Sequence, residues 1–289
     1  MAEVFAFLLS GITVGFVYAL VGMGFTVIYN SSGIINFAQG EFVMAGGMSM
    51  VFLLATGISF SSAFVLAVIA TSILGVLLWK LTDLSRDSSQ VSLIILTLGY
   101  AIFLRGLAEV VFDKELHTIP SFVGDGAFEI YGAILSHQSF LIILVSIFIV
   151  IALWLFFKKT RLGKAMIAAS DNVEAAKLMG INIKKILMLN FAISASIAAI
   201  GGALLTPITS TNYEVGIMLG LKGFAAAIIG GLSNPFGAVL GGLILGVMEA
   251  LVAGYMSSEY KDAVAFIIML AILFFRPGGI FSNLKAQRV

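Results

Sequence analysis

The chain has 289 residues, 60% of them hydrophobic and only 11% charged, with a net charge of +1, two histidines and no cysteine. A soluble domain carries about 25% charged residues to hydrate its surface, so a chain this apolar, with a mean hydropathy of +1.12, must use lipid as its main solvent. Disulfides and thiolate metal sites are excluded, and the apolar–polar alternation of a transmembrane β-barrel is missing, which leaves an all-α polytopic membrane protein.

A crossing needs about 17–25 apolar residues. Spans are therefore expected over 4–29, 35–57, 60–80, 91–112, 139–157, 186–206, 217–233, 235–255 and 260–276, eight or nine transmembrane helices in total. The N-terminal MAEVFAFLL has no basic stretch before its apolar run and reads as the first span, not as a cleaved leader. Segment 217–233 is short, Gly-rich and carries Lys222, and is expected to be broken or re-entrant. No linker rich in Pro, Ser or charge divides the chain. It reads as one integral membrane domain, 1–289, that contains one long polar loop, 158–185.

Basic residues favour the cytoplasmic side of a membrane. If the 158–185 loop is cytoplasmic, twelve of the sixteen Lys and Arg fall inside. They are Lys80, Arg86, Lys158, Lys159, Arg161, Lys164, Lys177, Lys184, Lys185, Arg276, Lys285 and Arg288, against Lys114 and Lys261 outside. The N-terminus is then outside, the C-terminus cytoplasmic, and the acidic loop 113–138 outside. A faint internal echo links 15–41 with 221–246: in each, a Gly-rich apolar segment, a polar break and another apolar segment. Interrupted segments of this kind mark binding sites in transporters built from inverted repeats.

The long loop reads TRLGKAMIAASDNVEAAKLMGINIKK over 160–185. Asp171 or Asn172 can cap a helix, with Glu174 in its first turn against the positive end of the macrodipole. Gly180 can end that helix in a left-handed conformation. Ala175, Ala176, Leu178 and Met179 give it a small, apolar face. Such an element either docks into a groove on a partner or lies flat on the membrane surface.

The run of Glu174, Ala175 and Ala176 with Gly180 resembles the coupling-loop signature of ABC importer permeases. The wider RLGKAMIAASDNVEAAKLMGI resembles that of the branched-chain amino acid transporter permease family. ITVGFVYALVGMGFTVIY (12–29), GIINFAQGEF (33–42) and GGLSNPFGAVLGGLILG (230–246) are similar to further hallmarks of that family, so the likeness covers most of the chain. Asn234-Pro235 departs from it, in place of a smaller, less rigid pair. The resemblance implies a membrane subunit that pairs with a second, related permease and with two cytoplasmic ATPases that bind the ATP. An external solute-binding protein would deliver branched-chain or related amino acids. It assigns ATPase coupling to Arg161, Gly163, Asp171, Glu174, Ala175, Ala176 and Gly180. This chain itself is expected to hold no cofactor or metal and to bind lipid but no nucleic acid.

Polar residues between apolar runs are tolerated in a membrane only beside a cavity or inside protein. Asn36, Phe37, Gln39 and Glu41 therefore either line a substrate path or form an ordinary cytoplasmic turn capped by Asn36. Ionisable residues within spans cost about 2.5–3.5 kcal/mol each and face the interior. Arg105 and Glu109, four apart, are expected to pair on one helix face. Lys222 and Glu249 are either path residues or a structural pair. There is no GxxxxGK[ST] phosphate loop, HExxH or Ser/His/Asp constellation, so catalysis by this chain is not expected. An ATP-independent carrier or channel for a urea, amide or amino acid fits the hydropathy, but gives no reason for a capped helix in the cytoplasm. A membrane scaffold would need neither interrupted helices nor buried charge.

Overall fold

The computed structural model describes residues 2–85 and 88–281; Arg86, Lys285 and Arg288 of the orientation count lie outside the described residues. The chain folds as α1 (Ala2–Ser32), α2 (Gln39–Ala55), α3 (Phe60–Leu84) and α4 (Gln90–Phe112), then a hairpin of β1 (Ala127–Ile130) and β2 (Ala133–Ser136). It continues with α5 (His137–Lys159), two short helices α6 (Arg161–Asp171) and α7 (Val173–Leu178), and α8 (Ile183–Thr209). The last helices are α9 (Val215–Gly230), α10 (Pro235–Tyr255) and α11 (Lys261–Phe275). Side-chain oxygens of Ser89, Ser136, Thr160, Asn172, Asn182 and Asn234 accept first-turn amides and fix where α4 to α8 and α10 begin. At the departure noted above, Asn234 takes the amides of Phe236 and Gly237, and Pro235 occupies the first helical position that its fixed φ favours.

Six of the described helices, α1, α3, α4, α5, α8 and α10, are long and apolar enough to cross a membrane. At 1.5 Å per residue, α2, α9 and α11, with 17, 16 and 15 residues, reach about 22–26 Å, less than the roughly 30 Å of hydrocarbon. The expected unbroken span over 35–57 is corrected accordingly. Residues 33–38 are non-helical, and α2 starts beside Ser194, two residues from the midpoint of α8. A membrane-depth break of this sort survives because the surrounding helices satisfy its backbone: the Phe37 amide donates to Thr97 Oγ1 of α4 at 3.2 Å.

Helices in lipid gain little from burying apolar surface and associate through close packing of small residues. α1 packs along α10 through Gly11, Gly15, Gly242 and Gly246, while α8 packs along α3. α2 lies against α8, α9 against α1, and α2 and α9 cross near their N-termini. α6 and α7 sit at one end of the bundle and the hairpin at the other. At the hairpin end, His117 and Thr211 exchange backbone hydrogen bonds of 2.9 and 2.7 Å, tying the outer loop to the break between α8 and α9. Gln138, the second residue of α5, accepts from the Phe122 amide and donates to the Leu204 carbonyl of α8, so the same loop is pinned to the bundle.

Candidate functional site

The candidate residues fall in three places, the α6–α7 protrusion, the crossing of α2 with α9, and a buried cluster around Lys222. In the protrusion, Asn172 caps α7 by accepting the Ala175 amide at 3.0 Å. Asp171 is the last residue of α6 and not the cap. Gly180 ends α7 at φ +78°. The Ile181 amide reaches the Ala176 carbonyl and the Gly180 amide that of Lys177, the pattern of a Schellman stop. Glu174 sits in the first turn and pairs with Lys177 at 2.7 Å, both exposed.

The residues assigned to coupling divide between anchor and tip. Ala176 is buried against Met166, Ala169 and Ile186, so it anchors α7 and does not present a face to a partner. Gly163 is also buried; a Cβ there would run into the Phe156 carbonyl, so it allows α6 to fold tightly against the end of α5. Arg161, Glu174, Ala175 and Gly180 are exposed. The tip itself is Leu178 and Met179, 88% and 82% exposed. Two large apolar side chains thus stand side by side in a polar segment, largely uncovered by the described residues.

At the crossing, Gln39 is spent on structure. Its Nε2 donates to the Ser194 carbonyl at 3.3 Å, and Ser194 Oγ lies 2.7 Å from Gln39 Oε1 and 2.9 Å from the Gly24 carbonyl. Asn36 is fully buried, with Oδ1 accepting the Ala38 amide and Nδ2 without a partner. It is thus not the cap of a surface turn. Glu41, in the first turn of α2, accepts from Arg105 Nη2 at 2.6 Å, and its Oε2 has no hydrogen-bond partner among the described residues. The expected Arg105–Glu109 pair is corrected: Arg105 reaches inward to the buried carboxylate, and Glu109 pairs with Lys114 at 2.6 Å near the hairpin end. Gly40 lies against Gly216 and Gly220 of α9, where a side chain would collide with the Gly216 carbonyl. Glu41, Arg105 and Phe37 border a cavity of about 150 Å³ between α1, α4 and α9.

Lys222 and Glu249 lie apart from that cavity. Lys222 Nζ is 3.1 Å from Glu249 Oε2, 2.7 Å from Asp262 Oδ1 and 3.1 Å from the Tyr18 hydroxyl, which itself donates to Glu249 at 2.8 Å. One buried cation among two carboxylates and a phenol ties α1, α9, α10 and α11 together. These four residues form an ion-pair cluster in the packing of the bundle.

A sequence model described as the branched-chain amino acid transport system permease component matches residues 7–273. The chain belongs to that family. The permease is 34% identical to the high-affinity branched-chain amino acid transport system permease protein LivH of Salmonella typhimurium, over 100% of both chains. It is 33% identical, again over 100% of both, to the corresponding protein BraD of Pseudomonas aeruginosa. Among solved structures, PsaBC from Streptococcus pneumoniae in complex with a Fab shares the fold, with a TM-score of 0.54 and 15% identity over 99% of this chain and 95% of that one. The resemblance read from the INFAQGE and EAAKLMG stretches is therefore borne out, and the family is one of transport subunits, not of enzymes.

Several residues that shape these regions in the permease carry no mark in the sequence. Ser194, Thr97 and Tyr18 are ordinary residues of apolar helices, and Asp262 looks like a surface charge at a helix start. Arg105, a cation within a span, did give a signal, but helical spacing directed it to the wrong carboxylate.

Proposed function

We propose that this chain is the membrane-spanning permease subunit of an ATP-binding-cassette importer that moves branched-chain or related amino acids inward, driven by ATP hydrolysis on separate subunits. The observation that carries the reading is the projecting tip of α7. A capped and stopped helix, anchored by Ala176, holds Leu178 and Met179 out of the bundle in a chain matched end to end by branched-chain amino acid permeases. Arg161, Glu174, Ala175 and Gly180 would contact or aim the ATPase. Gly163, Ala176 and Asp171 would act by holding α6 and α7 in place.

Orientation follows from charge. The end that carries α6 and α7 holds Lys80, Lys158, Lys159, Arg161, Lys164, Lys177, Lys184, Lys185 and Arg276, whereas Lys114 and Lys261 lie at the hairpin end. The α6–α7 end is then cytoplasmic, the N-terminus outside and the C-terminus inside, in a cytoplasmic membrane. The hairpin end would receive substrate from a solute-binding protein, and a second permease, related or identical, would complete the wall of the path along the α4–α9 flank.

The whole chain acts in this reading as one domain with an inverted repeat, α1–α4 against α8–α11. In each half a long helix is followed by a break and a short helix that begins at the middle of the bundle. The strongest packing pairs also exchange under this match: α1 on α10 becomes α8 on α3, and α2 on α8 becomes α9 on α1. The echo between 15–41 and 221–246 would align α1–α2 with α9–α10 instead, so the packing supports a different partner for the first half. Movement of one half against the other would switch access between the two sides.

Reconstitution tests the function. The permease co-expressed with its ATPases and placed in vesicles with the binding protein outside should take up leucine only with ATP in the lumen. Uptake that follows an ion gradient with no ATPase present would overturn this reading in favour of an ATP-independent carrier.

A further inference from the structure

We propose that the cavity between α1, α4 and α9 is a subsite for a free zwitterionic amino acid with an apolar side chain: Arg105 takes the carboxylate, Glu41 the ammonium group, and Phe25, Phe37 and Phe224 the side chain. The assignment rests on the reading of the chain as an amino-acid permease and deepens it. Ligand sites are apolar pockets with a few convergent polar groups. Among the described residues, the polar side chains lining the cavity are Glu41 and Arg105, one of each sign. The wall is aromatic, with the Phe224 ring 5.5 Å from that of Phe25 and 5.8 Å from that of Phe37. The volume, about 150 Å³, is that of a cavity able to hold one benzene-sized group.

The ion pair itself is unlike one built only for stability. Arginine and a carboxylate matched for structure form a two-pronged fork that satisfies both oxygens. Here one contact joins Nη2 to Oε1, and both Glu41 Oε2 and Arg105 Nε are buried without a hydrogen-bond partner among the described residues. Leaving a buried carboxylate oxygen unpaired is costly, and a bound ammonium would remove that cost. In this structure Oε2 is covered by the α9 backbone at Gly216. Separation of α9 from α2 uncovers the oxygen, so occupancy of the subsite and the relative movement of the two halves are linked. A zwitterion offers a counter-charge to each of the two groups; urea, an amide or a sugar offers none to either.

The test uses the complete assembly in vesicles, with leucine as the probe and with uptake and ATP hydrolysis measured side by side. E41Q keeps the shape and one hydrogen bond but removes the charge; R105K keeps the charge but loses the planar fork. Both are expected to assemble with the ATPases, while leucine uptake falls at least tenfold. Uptake at the parental rate in E41Q overturns the subsite. Should E41Q or R105K fail to assemble, L98W decides. It narrows the mouth from the exposed side of α4 without removing a polar contact; loss of uptake supports the subsite, and unchanged uptake overturns it. Parental uptake with the ATPases left out is a different failure, that of the importer reading itself.

Discussion

Arg105 on α4 holds its Nη2 2.6 Å from Glu41 Oε1 on α2, and Glu109, one turn along its own helix, pairs elsewhere. The two carboxylates therefore differ sharply in what their loss should do. Glu109 and Lys114 form a solvent-screened pair, which adds little to stability. Removing Arg105 strands a buried carboxylate, which costs about 3–5 kcal/mol. We expect Glu109→Ala to leave thermal unfolding in detergent unchanged, and Arg105→Ala to lower the midpoint by many degrees. Equal shifts in the two variants would mean that the ion pair across α2 and α4 is not formed.

The cluster around Lys222 makes a prediction by rescue. Lys222→Met leaves Glu249 and Asp262 facing each other without a cation, and should unfold the protein or prevent its insertion. Adding Glu249→Gln and Asp262→Asn removes the stranded charges, so the triple variant should regain most of the lost stability, more than the Lys222→Met/Glu249→Gln double. If the single variant is as stable as the triple, these groups do not form one ion-pair cluster. Expression yield and thermal unfolding of the four proteins report the order directly.

These two clusters also mark how far the sequence could be read. The all-α membrane character and the rough placement of the apolar helices were legible because a lipid solvent leaves long apolar runs that polar breaks interrupt, but how many of them are long enough to cross was not. The cap at Asp171 or Asn172 and the stop at Gly180 were legible because they are local chemistry, whereas the capping role of Asn234 emerged only from the structure. What lay beyond reach was pairing between helices distant in sequence. In lipid no amphipathic stripe reports which face turns inward, so Arg105 was directed to Glu109 by helical spacing, whereas tertiary packing gave it Glu41. The start of α2 at mid-bundle was hidden for the same reason: 34–38 contain Ile34, Ile35, Phe37 and Ala38, apolar enough to pass for helix. Ala176 carried the signature of a coupling helix, yet only the packing revealed which way it faces.

The facing of Ala176 and of Leu178 separates folding from docking on one short helix. Ala176→Leu overfills the contact with Met166, Ala169 and Ile186, at about 1–3 kcal/mol, and should loosen the whole α6–α7 protrusion. Leu178→Ala with Met179→Ala trims two side chains that the described residues leave mostly uncovered. That double variant should melt as the parent does, yet capture at least tenfold less ATPase in co-purification and lose uptake. Full ATPase capture by the double variant would remove the tip from the docking surface.

The stop at Gly180 decides where that tip points. Its φ of +78° lies in the left-handed region, and a Cβ would meet nothing within 4 Å. Any penalty there is one of backbone conformation, with no steric clash. An L-residue in this region costs about 1–2 kcal/mol, and asparagine tolerates it far better than a β-branched residue does. Gly180→Val should therefore release the Ile181-to-Ala176 hydrogen bond, let α7 run on or fray, and abolish uptake in a protein that still inserts and folds. Gly180→Asn should keep most of the uptake. Two variants equally active would show that the direction of α7 does not matter to coupling. Two equally dead would place glycine's missing side chain, and not its backbone, in contact with the ATPase.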